Sequence, residues 1–234
     1  MNAITQKAIA LLEGRLAKTA TVLAVRVWEP ATFREIDLYM PGCDMHKWSR
    51  TQHMKCRVDA LTYRDYTPSG WDAETQTCTL FIDTAHDGPG SRWAKGLRTG
   101  DTLTYLGIGS SHQQPVSRKR LVFLGDETAI GHFFALQQLA DIETVICGAV
   151  AMAQPPHREE FARYFSRLGF QPLHKGSSGD YAALEEWVSG LSVTDPSELI
   201  FYLAGYTPAV TRMRKFLKRQ GYEGSQIKAQ GFWN

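Results

Sequence analysis

At 234 residues the chain has room for one large domain or two of ordinary size. Its 43% hydrophobic and 21% charged residues fit a folded globular protein and exclude a disordered one. A formal charge of +2 argues against nucleic acid or an anionic membrane as a partner, and no apolar run approaches the ~18 residues of a spanning helix, so no membrane insertion is expected.

The opening segment, MNAITQKAIALLEGR, has neither the basic start nor the long apolar core of a secretory signal. It is expected to form an amphipathic helix carrying Ile4, Ala8, Leu11 and Leu12. From about residue 20 to 106, short β-type runs alternate with turn residues: TVLAVRV (21–27), FREIDLYM (33–40), HMKCRV (53–58), CTLFIDT (78–84) and DTLTYLG (101–107). That spacing predicts an antiparallel barrel or sandwich. Cysteines 43, 56, 78 and 147 are scattered, with no CxxC and no histidine at metal spacing. A zinc site or disulfide scaffold is not expected, and reduced thiols in a cytoplasmic protein are.

The stretch SSHQQPVSRKR (110–120) has a linker's composition. Beyond it, buried-type strands (121–125, 144–150, 199–205) alternate with helical patterns (128–140, 157–169, 181–191, 208–221), and QIKAQGFW closes the chain. Continuous apolar strands alternating with helices predict a parallel sheet of βαβ units. The expected organisation is therefore a β-domain over 1–115 and an α/β nucleotide-binding domain over 116–234.

Three places carry candidate chemistry. LVFLG runs into GDETAIG, where Gly125 allows a sharp turn and the following amides open a helix, an arrangement suited to a diphosphate. Asp126 and Glu127 would oppose an anion there, so the backbone would carry the binding; Asp126 or Thr128 serving only as a helix cap is the plain alternative. Gly205, before Pro208, repeats the strand–turn–helix arrangement, although no GxGxxG is present. In RDYTPSGWD (64–72), Arg64 offers a planar fork for phosphate, Tyr66 a flat face and Thr67 a short hydroxyl. Turned into a cleft at a strand end, that trio suits a flat, phosphate-bearing cofactor; a surface Arg, a half-buried Tyr and a strand Thr are the structural alternative. Gly88, Pro89, Gly90 and Ser91 form a tight turn whose amides and hydroxyl suit a second phosphate, or else a hairpin with Trp93 on the core.

Taken in order, R-x-Y-T, GPGSRWAKGLRTGD, GDETAIG, a late Ala-Gly turn and a terminal Gly-aromatic-Trp resemble the siderophore-interacting protein family of the ferredoxin–NADP reductase superfamily. The resemblance runs from about residue 50 to the C-terminus. It implies a six-stranded antiparallel FAD-binding barrel, a parallel-sheet nucleotide-binding domain, and NAD(P)H-dependent reduction of ferric siderophores or similar iron chelates. Carried over by position, Arg64 would contact the FAD diphosphate, Tyr66 would lie along the isoalloxazine, and Thr67 would orient its reactive edge, the one catalytic assignment. Gly88, Pro89, Gly90 and Ser91 would form the second FAD-binding turn, while Gly125, Asp126, Glu127, Thr128 and Gly205 would line the pyridine-nucleotide side. The sequence departs from the family at Ser69, where a second arginine is usual.

Two alternatives stay open: a reductase passing electrons to a small electron-transfer protein, and a nucleotide-binding module without catalysis. Because hydride transfer needs positioning more than acid–base groups, no essential His or Glu is expected. After the second parallel strand, AMAQPPHRE offers His157 and Arg158 before any carboxylate, which favours NADPH over NADH. Phe232 or Trp233 is expected to cover the flavin face that nicotinamide must reach; Trp233 filling a gap between the domains is the plain alternative. The helix over 208–221 turns Val210, Met213, Phe216 and Leu217 to a core, and its arginines and lysines are expected on a solvated face.

Overall fold

The computed structural model describes residues 17–165, 169–176 and 181–234. The expected N-terminal helix lies outside them.

The first sheet contains β1 (Lys18–Trp28), β2 (Phe33–Tyr39), β3 (Gln52–Asp59), β4 (Thr62–Tyr66), β5 (Ser69–Asp72), β6 (Thr77–Asp83) and β7 (Thr102–Ser110). Its order is β4-β3-β7-β1-β2-β6-β5, with antiparallel pairing throughout. Alternation fixes which face is inside: along β3, Gln52, Met54, Cys56 and Val58 are buried while Lys55, Arg57 and Asp59 are exposed. Met54 and Cys56 join Val22, Ile36, Leu38 and Leu80 in one apolar core. Only Thr67 and Pro68 separate β4 from β5, although these strands stand at opposite ends of the order. The sheet must therefore curl until its two edges approach, which makes it barrel-like. Seven strands stand where six were expected, because Ser69–Asp72 adds to β6 as a strand of its own and the ring is not closed.

The segment expected as a tight turn at Gly88–Ser91 is instead the start of a helix, α1 (Pro89–Gly96). Proline at the first helical position pre-sets the backbone there. Ala94 and Leu97 are then buried and Trp93 packs on the same core, so tertiary burial of one helix face wins over turn chemistry.

The second sheet contains β8 (Arg120–Asp126), β9 (Ile146–Met152), β10 (Phe170–His174), β11 (Leu199–Tyr206) and β12 (Ile227–Trp233). All its pairs are parallel, in the order β10-β9-β8-β11-β12. The inner strands β8 and β11 are buried almost end to end, which is why they read as continuous apolar runs. Four helices accompany this sheet: α2 (Ile130–Leu139), α3 (Pro155–Phe165), α4 (Ala182–Ser189) and α5 (Thr207–Arg219).

Helix α2 is apolar on nearly every side because it lies between the two sheets. Trp28, Phe33 and Phe81 of the first sheet share a core with Phe123 of the second, Phe133 of α2, and Phe161 and Phe165 of α3. At its far end Gln138 clasps the Trp71 backbone, accepting from its N–H at 3.1 Å and donating to its carbonyl at 2.6 Å. The backbone of Gly131 passes so near Thr67 that a β-carbon would sit 3.3 Å from the Thr67 carbonyl oxygen. This join sets the carboxyl ends of β8 and β11 against β4 and β6 and defines the space between them.

Candidate functional site

That space is a cavity of about 570 Å³, within the usual range for a cofactor or small-ligand site. On the first-sheet side, Arg64, Tyr66 and Thr67 face it together, although only the first two lie within β4. The Tyr66 ring stacks on Trp93 with centroids 5.6 Å apart and planes 15° from parallel. Burial pushes its phenol well above the ordinary tyrosine range, so it stays neutral. The Arg64 guanidinium donates to the Tyr63 carbonyl at 2.7 Å. Its neighbour Asp65 is engaged by Lys55 at 3.1 Å, which leaves the Arg64 charge open to an anion.

Gly88, Gly90 and Ser91 continue this wall, with Pro89 between them. Among the described residues no side chain caps the first turn of α1, so its amides have hydrogen-bonding capacity left. A charged fork, an aromatic plane and uncapped helix amides around one cavity suit a dinucleotide carrying a flat ring. The residues present thus fit FAD.

The opposite wall comes from the second sheet. Trp233 lies between Tyr206, 4.4 Å between ring centroids, and His86, 4.8 Å away. Its indole N–H donates to Thr128 Oγ1 at 3.3 Å. Phe232 meets the buried His132 edge-on at 5.5 Å. Burial lowers the His132 pKa to about 3, so its ring is neutral, and its Nε2 lies 2.6 Å from Gln113 Oε1.

The other assigned residues sit behind this wall and do not line the cavity. Gly125 has no room for a side chain, pressed between the Ala204 carbonyl and the Ala129 methyl. The Asp126 carboxylate turns inward, accepting from the Thr128 amide at 3.0 Å, the Tyr206 amide at 3.0 Å and the Tyr181 hydroxyl at 3.2 Å. Gly205, at φ +116°, is obligatory: a β-carbon would lie 2.6 Å from an Asp126 oxygen. Glu127 accepts from the Ala153 amide at 3.0 Å and pairs with Lys175 at 3.4 Å, while burial raises its carboxyl. His157 is not available to a nucleotide as a cation. It is buried against Trp28 and Phe33, 3.3 Å from the Thr32 hydroxyl, and burial lowers its pKa. Arg158 does stand at the end of β9, donating to the Met152 carbonyl at 3.1 Å.

Asp83 and His86 are among the cavity residues that the sequence reading did not assign to the site. Asp83 ends β6 with its side chain 7% exposed, accepts from the Ala85 amide at 2.9 Å and faces His86 Nε2 at 3.6 Å. Burial pushes its carboxyl above the usual range. The fold brings them to the cavity from the end of β6 and the loop after it.

Residues 34–112 match the family model of the siderophore-interacting FAD-binding domain. The chain carries such a domain. FAD is therefore the cofactor that this FAD-binding domain takes. The model covers the siderophore-interacting FAD-binding domain from β2 to the end of β7, and so takes in Arg64, Tyr66, Thr67 and the start of α1. No curated protein matches the sequence. Among solved structures, the chain is similar to a siderophore-interacting protein from Acinetobacter baumannii. That match has a TM-score of 0.77 at 14% identity and covers 93% of this chain and 90% of that one. A siderophore utilization protein from T. fusca gives a TM-score of 0.73 at 18% identity, covering 93% and 92%. The ferredoxin reductase of a carbazole 1,9a-dioxygenase gives 0.74 at 14%, covering 93% of this chain and 69% of its own. The architecture around the siderophore-interacting FAD-binding domain is thus the ferredoxin reductase-like fold.

Proposed function

We propose that this protein is an NAD(P)H-dependent flavin oxidoreductase acting on ferric siderophores or similar chelated iron. The observation that carries the reading is the cavity itself, where Arg64, Tyr66 and Thr67 face Thr128 and Trp233 across the join of the two sheets. In this reading residues 1–115 form the FAD-binding unit and 116–234 the pyridine-nucleotide unit.

Arg64 binds the FAD diphosphate, helped by the amides and hydroxyl around Gly88, Pro89, Gly90 and Ser91. Tyr66 lies along the ring system and Thr67 orients its reactive edge. FAD held there would supply the means to take a hydride from NAD(P)H and pass single electrons to iron. The protein's part is to hold the two ring systems in register and keep water out. Neutral His132 and Phe232 make that end of the cavity apolar. Glycines 125 and 205 let the backbone turn at the carboxyl ends of β8 and β11, where the nucleotide approaches Thr128. Arg158 supports NADPH over NADH, without help from His157.

The test is the purified protein. Bound flavin, its bleaching by NADPH faster than by NADH, and reoxidation by a ferric hydroxamate or catecholate would support the reading. Reoxidation by a ferredoxin-type protein alone would move the acceptor to a small redox partner. A colourless protein that takes up no FAD overturns the assignment.

A further inference from the structure

Two neighbours of the Trp233 indole, Thr128 and Tyr206, lead back to one buried carboxylate. The indole N–H donates to Thr128 Oγ1 at 3.3 Å. The Thr128 hydroxyl spends its single proton on Asp126 Oδ1 at 2.5 Å, which leaves its lone pairs facing the indole. The ring of Tyr206 lies 4.4 Å from the indole, and the Tyr206 backbone amide donates to Asp126 Oδ2 at 3.0 Å. Asp126 is 1% exposed, and the same Oδ2 also takes the Tyr181 hydroxyl at 3.2 Å. His86, in the loop after β6, meets the indole from outside this network with ring centroids 4.8 Å apart.

The tilted ring contacts with Tyr206 and His86 hold the plane of the indole. The hydrogen bond to Thr128 selects, within that plane, the flip that points the N–H toward the second sheet. Its geometry depends on Asp126, which takes the hydroxyl proton and so presents an acceptor, not a donor, to the indole. Asp126 also explains why Gly205 admits no side chain.

We propose that Thr128 is a positioning residue for Trp233, held in its accepting orientation by Asp126, and that it sets how the terminal indole lies across the cavity. In this role Thr128 acts on the pyridine nucleotide through the indole and not by touching phosphate. The Tyr181 bond ties the same carboxylate to the start of α4, and the Lys175 ammonium lies 5.6 Å from the Tyr181 ring centre. The nucleotide-facing edge of the second sheet and the indole thus share one anchor. Any consequence for nucleotide turnover rests on the function proposed above; the orientation of the indole does not.

The test uses the full chain in two forms. In the flavin-free protein, acrylamide quenching of tryptophan fluorescence is compared for wild type, Thr128→Val, Thr128→Ser and Trp233→Phe. Thr128→Val is expected to raise quenching, Thr128→Ser to leave it as in wild type, and Thr128→Val to add nothing in the Trp233→Phe background. In the flavin-loaded protein, Thr128→Val and Trp233→Phe are each expected to change the KM for NADPH by about twofold to tenfold with a smaller change in kcat, the size of one neutral hydrogen bond. Their effects should not multiply when combined. If Thr128→Val acts equally in the Trp233→Phe background, Thr128 works directly on ligand or fold and the proposal fails. It fails equally if Trp233→Phe leaves the KM unchanged, a measurement that stands even if Thr128→Val does not fold. A chain that takes up no FAD yet gives the expected quenching pattern would sink the proposed function and leave the positioning role standing.

Discussion

The backbone of Gly90 rests against the phenol of Tyr66, so closely that a β-carbon there would lie 2.5 Å from the hydroxyl oxygen and 3.3 Å from Arg64 Cγ. A methyl group at this point must push both side chains out of place. Gly90→Ala is therefore expected to weaken FAD binding by about tenfold or more, the lower range of an overpacking cost, with the fold retained. Gly96→Ala, at the other end of α1 with nothing within 4 Å, serves as control and should leave affinity unchanged. Flavin titration of the two variants decides it; equal affinities would remove Gly90 from the site.

Arg64 has no carboxylate partner of its own among the described residues, so its charge is available to a ligand at little structural cost. Arg64→Ala should lower FAD affinity by roughly tenfold to a hundredfold, the value of a charge-assisted hydrogen bond, with thermal stability little changed. Full flavin retention after extensive dialysis would show that the diphosphate lies elsewhere.

Removal of residues 232–234 takes away Trp233 and Phe232 but leaves the pairing of β12 with β11 from Ile227 to Gly231. The truncated chain is expected to fold, to bind FAD with an altered visible spectrum, and to change its affinity for the nucleotide. An unchanged spectrum and affinity would mean that the terminal aromatics do not face the ring. Loss of folding would assign them to packing between Tyr206, His86 and His132 instead.

His132 makes stability depend on pH. Burial lowers its folded-state pKa to about 3, below the unfolded value near 6.5, so the unfolded chain binds the extra proton first. The neutral ring's contribution is fully present above about pH 6.5 and is lost as pH falls toward 3, at up to about 1.4 kcal/mol per pH unit. The lowered pKa of His157 acts in the same direction. Urea melts of His132→Asn between pH 4 and 7 should show a shallower slope than wild type. An identical slope would mean that His132 takes up its proton in the folded state.

How much of this could be read in advance depends on the range of the interactions. The parallel sheet was legible because β8 and β11 are buried on both faces and so appear as unbroken apolar runs. β3 was legible because one face is buried and its residues alternate. Arg64, Tyr66 and Thr67 were legible as a trio because three unlike chemistries stand within four positions. The failures were local patterns overridden by burial. Gly88–Ser91 has turn chemistry but opens a helix, since Ala94 and Leu97 gain a core by turning inward. His157 looks like a cation for a nucleotide but is buried against Trp28 and Phe33, more than 120 positions away in sequence. At the acidic turn the plain alternative holds for Asp126, which caps the Thr128 amide and also accepts from Tyr181 and Tyr206, while Glu127 is spent on Ala153 and Lys175.

The sequence by itself determined the two sheets, their order along the chain and the residue types available for a flavin, because strand period and glycine turns are local properties. Tertiary structure alone decided that α2 lies between the sheets, that Trp233 reaches Thr128 across 105 positions, and that Asp83 and His86 join the cavity. Those placements follow from which apolar faces find each other when the two sheets pack, and no short stretch of chain carries that information.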